Sequence, residues 1–217
     1  MAHDDDTRAT ASDGARAVGR RALVAGGVWT LPVIALATAA PAAAASPAPC
    51  PTVTDPSQWR RTDNGYAYQG ASGIEEKDGD VYFLQQADDA ASFEGLNLEV
   101  WFRAALPVVA GTTYNFLYRA GGEHGQTRDP RTRGAQYARL EIDGAAVSPD
   151  YSTDTTQYGT VQLTTDFSFV DYSSLWVAKT TGIVQLTWHF IVPARRLWRT
   201  DANDDIRITL PYIACSR

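Results

Sequence analysis

Beyond about residue 81, apolar side chains recur at every second position, and the 3.6-residue period of an amphipathic helix is hard to find. In the stretch 97–106, Leu98, Val100, Phe102, Ala104 and Leu106 share one face, while Glu99, Trp101 and Arg103 share the other. Tyr114, Phe116 and Tyr118 alternate likewise within 113–119. Within 183–192, Val184, Leu186, Trp188 and Phe190 alternate with Gln185, Thr187 and His189. Ile206, Ile208 and Leu210 repeat the arrangement in 205–213. A period of two means strands with one face on a core and one toward water, as an antiparallel sandwich requires. The pairs Ala110-Gly111, Gly121-Gly122, Asp143-Gly144 and Thr181-Gly182 read as turns that need a positive φ. Asp143-Gly144, between 139–142 and 145–147, is the strongest hairpin signal. Two polar stretches, 120–134 and 148–159, are longer than a hairpin needs and are expected as loops. The expectation is an all-β, antiparallel β-sandwich forming a single domain.

The first 45 residues follow different rules. Residues 1–21 are polar and carry Arg8, Arg16, Arg20 and Arg21; 22–40 hold no charge, and 41–45 are small residues. That order is a charged region, an apolar region and a cleavage site, so 1–45 is expected as a signal peptide cut after Ala45, with 46–217 as the mature domain. Gly26, Gly27, Thr30 and Pro32 dilute the apolar stretch, so no permanent membrane anchor is expected. Arg20-Arg21-Ala22-Leu23-Val24 resembles a bacterial twin-arginine export signal, which implies a secreted or cell-surface location. Gly19 stands where that family has Ser or Thr, which leaves the general secretory route open. Cys50 follows Pro47-Ala48-Pro49, which lacks the aliphatic and small residues of a lipoprotein signal. Cys50 and Cys215, near opposite ends of the mature segment, are an even count in an exported chain and are expected to form one disulfide.

The 217 residues are 44% hydrophobic, 20% charged and 11% aromatic, which excludes a disordered tail, a collagen-like repeat and a polytopic membrane protein. A formal charge of -6 offers no footprint for a phosphate backbone or an acidic membrane, so nucleic acid is not an expected partner. Nothing in the sequence sets an oligomeric state.

Several short strings share a further likeness. Val109-Ala110-Gly111-Thr112-Thr113-Tyr114-Asn115-Phe116, Leu140-Glu141-Ile142-Asp143-Gly144, the run from Trp176 through Thr181-Gly182 into Val184-Gln185-Leu186, and Asp204-Asp205-Ile206-Arg207-Ile208 resemble galactose-binding-like jelly rolls. The resemblance covers roughly 96–213 and leaves the first strands unmatched. It implies a jelly-roll sandwich used as a carbohydrate-binding or adhesion unit, with a polysaccharide or another cell-envelope component as partner.

If the apolar faces form the core, Glu99, Trp101, Arg103, Asn115, Arg139, Gln185 and His189 all point to the opposite side. Flat aromatic faces suit the C–H surface of a sugar ring, and charged or amide groups suit its hydroxyls. The same set also suits an outer strand face laced with ion pairs, such as Glu99 with an arginine. Trp198, within Arg195-Arg196-Leu197-Trp198-Arg199, is a candidate platform. The loop containing Arg119, Arg128, Arg131 and Arg133 could hold an anionic glycan or be a solvated surface. Asp201, Asn203, Asp204 and Asp205 offer oxygen ligands, with Asp204 and Asp205 the candidates for a structural calcium; a turn before the last strand uses the same residues. No other cofactor is expected. His124 and His189 lie in no metal-binding spacing.

No catalytic residue is assigned. Gly70-Ala71-Ser72-Gly73 is not a nucleophile elbow. Glu141-Ile142-Asp143 resembles the start of the two-glutamate strand of jelly-roll glucanases, but Ala146 stands where the second glutamate falls. Three functional classes remain in that order: a non-catalytic binding module, a structural or adhesive surface domain, and a small polysaccharide hydrolase or lyase.

Overall fold

The computed structural model describes residues 49–65, 71–86, 97–124, 136–153, 159–192 and 204–216, the side chains of His124 and Asp204 excepted. The chain divides into Met1–Pro47 and Ala48–Arg217, and every described residue lies in the second part. The export segment, with Arg20, Arg21 and Ala45, lies outside the described residues, as does Trp198.

Among the described residues, one short 3-10 turn, Pro56–Gln58, precedes thirteen strands: β1 Arg60–Asp63, β2 Ser72–Lys77, β3 Asp80–Gln85, β4 Leu98–Val108, β5 Thr113–His124, β6 Tyr137–Ile142, β7 Ala145–Ala146, β8 Tyr151–Ser152, β9 Val161–Gln162, β10 Val170–Val177, β11 Gly182–Val192, β12 Asp204–Thr209 and β13 Tyr212–Ser216. A seven-stranded sheet runs β1-β4-β11-β6-β8-β9, with β7 also on β6. A six-stranded sheet runs β10-β5-β12-β3-β2, with β13 also on β5. Pairing is antiparallel except between β8 and β9. The protein is an all-β jelly-roll sandwich. Among the described residues no helix is long and apolar enough to cross a membrane.

The alternation explains the layers. Leu98, Val100, Phe102, Ala104 and Leu106 of β4, Tyr114, Phe116 and Tyr118 of β5, and Leu186, Trp188 and Phe190 of β11 all pack into one core. Aromatic contacts carry that core across the layers: Trp59 meets Phe83 edge-on at 4.8 Å, Phe83 meets Phe102 at 4.8 Å, and Phe102 meets Phe190 at 5.6 Å between centroids. Trp188 stands edge-on to Tyr118 at 4.8 Å. The Tyr118 hydroxyl bonds the Tyr151 hydroxyl at 2.6 Å and the Ser174 hydroxyl at 2.8 Å, which satisfies polar groups that burial would otherwise penalise. Burial pushes the Tyr118 and Tyr151 hydroxyls up from their ordinary pKa, so both stay neutral.

Several turn expectations are corrected. Gly111 (φ 77°) and the Asp143-Gly144 pair (φ 48° and 79°) do turn in the left-handed region. Gly121 and Gly122 instead lie inside β5, where they admit the chain at 164–168 against the strand. A Cβ on Gly121 would sit 2.5 Å from the Ser168 carbonyl oxygen, and one on Gly122 would sit 3.0 Å from the Thr164 carbonyl oxygen. Gly182 opens β11 without a positive φ. The loop expected from residue 120 therefore begins no earlier than the end of β5 at His124, and the one expected over 148–159 contains β8. The closing segment is two strands: Pro211 cannot donate to a ladder, and the buried positions switch from Ile206 and Ile208 to Ile213 across it.

Cys50 and Cys215 form a disulfide across 165 positions with their Cα atoms 5.7 Å apart. It joins the segment before β1 to β13.

Candidate functional site on the outer face of the seven-stranded sheet

The register of three central strands and their edge strand assembles the site. Thr62, Trp101, His189 and Arg139 form one row across β1, β4, β11 and β6. Arg60, Arg103, Thr187 and Glu141 form the next. Because side chains alternate along a strand, all of these project from the face opposite the core, where Glu99 and Gln185 join them.

His189 is the hub. Its Nδ1 lies 2.9 Å from Glu141 Oε1 and its Nε2 lies 3.2 Å from Glu99 Oε2. Arg139 donates from Nε to Glu141 Oε1 at 2.6 Å and reaches toward Asp150 at 3.8 Å. Burial of Glu141 pushes its pKa up, but hydrogen bonds and charge from His189 and Arg139 outweigh it, and the carboxyl ends below its ordinary value.

Trp101 stacks on His189 with centroids 5.3 Å apart and planes 29° from parallel. The Arg103 guanidinium lies 4.8 Å from the indole centroid and donates to Thr62 Oγ1 at 2.6 Å. The indole thus contacts an imidazole from β11 and a guanidinium from its own strand. It is therefore a braced, half-buried ring rather than an open platform. Beside it, Arg60, Thr62, Arg103, Ala104, Ala105 and Gln185 line a depression of about 370 Å³.

The sheet thus brings together Glu99, Trp101, Arg103, Arg139, Gln185 and His189. Asn115 does not join them: β5 belongs to the six-stranded sheet, so Asn115 stands on the other layer, level with Leu175 and Ala214. Its polar character in an alternating strand marks an outward position without saying from which sheet. Glu99 faces His189 rather than an arginine. Glu141 and Thr187 are added by register, and Arg60 and Thr62 by pairing of β1, a strand with no alternating apolar signal. Asp205 is buried and accepts from Gln86 Nε2 at 3.1 Å. Asp201 and Asn203 lie outside the described residues, as does the side chain of Asp204. Among the described residues no three His, Cys, Asp or Glu side chains gather as a metal site. Residues 125–135, with Arg128, Arg131 and Arg133, also lie outside them.

A two-layered jelly roll with a braced polar and aromatic face is the class of protein that these observations define. No protein-family model matches the sequence, and no curated protein matches it. Solved structures similar to it include carbohydrate-binding modules. The chain is 14% identical to TmCBM61, described in complex with beta-1,4-galactotriose, over 75% of this chain and 92% of that one, with a TM-score of 0.41. It is 10% identical to TmCBM27, described for specific mannan recognition, over 76% and 93%, with a TM-score of 0.42. The C-terminal domain of EclA, described as a sugar-binding protein, is 20% identical over 52% of this chain, with a TM-score of 0.34; the chain spans 64% of its length.

Proposed function

We propose that the protein is an exported, non-catalytic module that binds carbohydrate, a polysaccharide or another cell-envelope glycan, on the outer face of its seven-stranded sheet. The observation that carries this reading is the braced cluster on β4, β11 and β6: Trp101 in contact with His189 and Arg103, with Glu99, Arg139, Glu141 and Gln185 on the same face. A sugar offers C–H surface and hydroxyls that both donate and accept, and this face offers π surface, guanidinium donors, carboxylate acceptors and an amide. Cross-pairing fixes the rotamers before a ligand arrives, which lowers the ordering cost of binding. A hydrolytic reading is weaker at this pair of carboxylates. Glu99 and Glu141 flank His189, so the imidazole fills the space in which a glycosidic oxygen would have to sit. The disulfide supports export, since such bonds persist outside the reducing cytoplasm.

Affinity electrophoresis on plant, fungal and bacterial polysaccharides tests the reading. Saturable retention is expected, with Trp101→Ala weakening it by about tenfold. Lack of retention by the native protein on every glycan would overturn it. Mass spectrometry of the exported form should place its first residue at Ser46.

A second reading, an adhesive protein-contact domain, is favoured by the opposite layer. There Leu175, Val177, Leu117 and Tyr212 are exposed large apolar or aromatic side chains on neighbouring strands of the six-stranded sheet. Concentration-dependent self-association that Leu175→Lys abolishes, without glycan retention, would select it.

A further inference from the structure

We infer that the depression beside Trp101 is a subsite for the anionic group of an acidic sugar, a carboxylate or a sulfate ester, held by Arg60 and Arg103. The inference rests on the reading of this face as a glycan-binding surface and names the class of glycan.

Arg60 and Arg103 stand directly opposite each other in the β1–β4 register, on the same face. Like charges in opposed positions of an antiparallel pair destabilise it. A carboxylate between them would remove that cost, yet among the described residues neither arginine has one. The acidic groups nearby are engaged elsewhere: Asp63 with Arg61, Glu99 with His189, Glu141 with His189 and Arg139, and Asp150 with Arg139. Asp143, at the turn next to Gln185, accepts from the Gln185 backbone N–H at 2.8 Å. The depression is accordingly lined by Arg60, Thr62, Arg103 and Gln185 with two alanines, and by no Asp or Glu among the described residues.

Arg103 is also preorganised. Its guanidinium lies over Trp101 and one of its Nη groups donates to Thr62, which leaves the remaining N–H groups of the planar fork for a ligand. A guanidinium fork matches the paired oxygens of a carboxylate or sulfate, and such charge-assisted bonds are stronger than neutral ones. The net charge of -6 means that this preference is local to the depression and is not a general attraction of the protein for polyanions.

Two matched pairs of probes separate the sources of the anion: polygalacturonate against its methyl-esterified form, and dextran sulfate against dextran. The native protein should bind the acidic member of at least one pair more tightly than the neutral member, by about tenfold, and lose that margin as ionic strength rises. Arg60→Gln and Arg103→Gln should each erase most of the margin. Arg60 is exposed and makes no ion pair among the described residues, so Arg60→Gln should fold normally, and its melting temperature without ligand should match or exceed that of the native protein because one of two like charges in opposed positions is removed. Leu175→Ser, on the opposite layer, should leave the margin intact. Equal binding of acidic and neutral members, unaffected by either arginine variant, would overturn the subsite while leaving the glycan-binding reading standing. Absence of binding to any polysaccharide would overturn both.

Discussion

A single methyl group is enough to test how closely the chain at 164–168 lies on β5. Gly121→Ala places a Cβ 2.5 Å from a backbone carbonyl that the Thr164 hydroxyl also engages, so the neighbour cannot step aside as a side-chain tip could. The expected cost is roughly 1–3 kcal/mol, read from urea midpoints. Glu141 makes a different prediction. Its carboxyl titrates below the ordinary 4.5 in the folded protein despite the opposing effect of burial, because His189 and Arg139 bond its ionised form. Stability from this group is therefore present above the unfolded value and lost as pH falls through the lower, folded one. Glu141→Gln should lower stability at neutral pH and flatten that acid-side decline, as measured by denaturant midpoints along a pH series. Most of the outward set was legible from alternation, since Trp101, Arg103, Gln185 and His189 follow directly from parity. Asn115 obeyed the same parity and still fell on the other layer, and Glu141 entered through register alone.

β11 concentrates what a strand contributes here, because it pairs with β4 on one side and β6 on the other and shows both faces of the design. Phe190 is fully buried and Ile183, on the same strand, is 76% exposed. Phe190→Ala should cost about 3–5 kcal/mol through lost burial and the cavity left behind. Ile183→Ala should stay within about 0.5 kcal/mol. Thermal or urea unfolding of the two variants checks the contrast, and similar losses would mean that the inward and outward faces are misassigned. Strand identity was readable wherever large apolar residues alternate over several positions, as in β4 and β11. It was not readable for β1, whose Arg60-Arg61-Thr62-Asp63 has no apolar alternation, although that strand supplies Arg60 and Thr62 to the depression. Nor could alternation reveal the break between β12 and β13, where Pro211 shifts the parity.

For the molecule as a whole, the Cys50–Cys215 bond ties the segment before β1 to the last strand over a loop of 165 positions. Constraining so long a loop in the unfolded chain is worth up to about 5 kcal/mol. Reduction, or Cys50→Ser with Cys215→Ser, should lower the urea midpoint accordingly while leaving the β-sheet circular dichroism in native buffer unchanged. A fall far smaller than this would mean that the unfolded chain is already compact.

Alternation and cysteine count by themselves determined that this is a disulfide-closed, all-β sandwich with a polar and aromatic outer surface, because burial parity and oxidation chemistry are properties of a residue and its near neighbours. Only the tertiary structure decided which outward residues share a sheet, that Glu99 and Glu141 both converge on His189, and that Arg60 stands opposite Arg103 with no carboxylate paired to either among the described residues. Those facts depend on strand order and register, and partners separated by 43 or 90 positions in the chain leave no local trace of having been brought together.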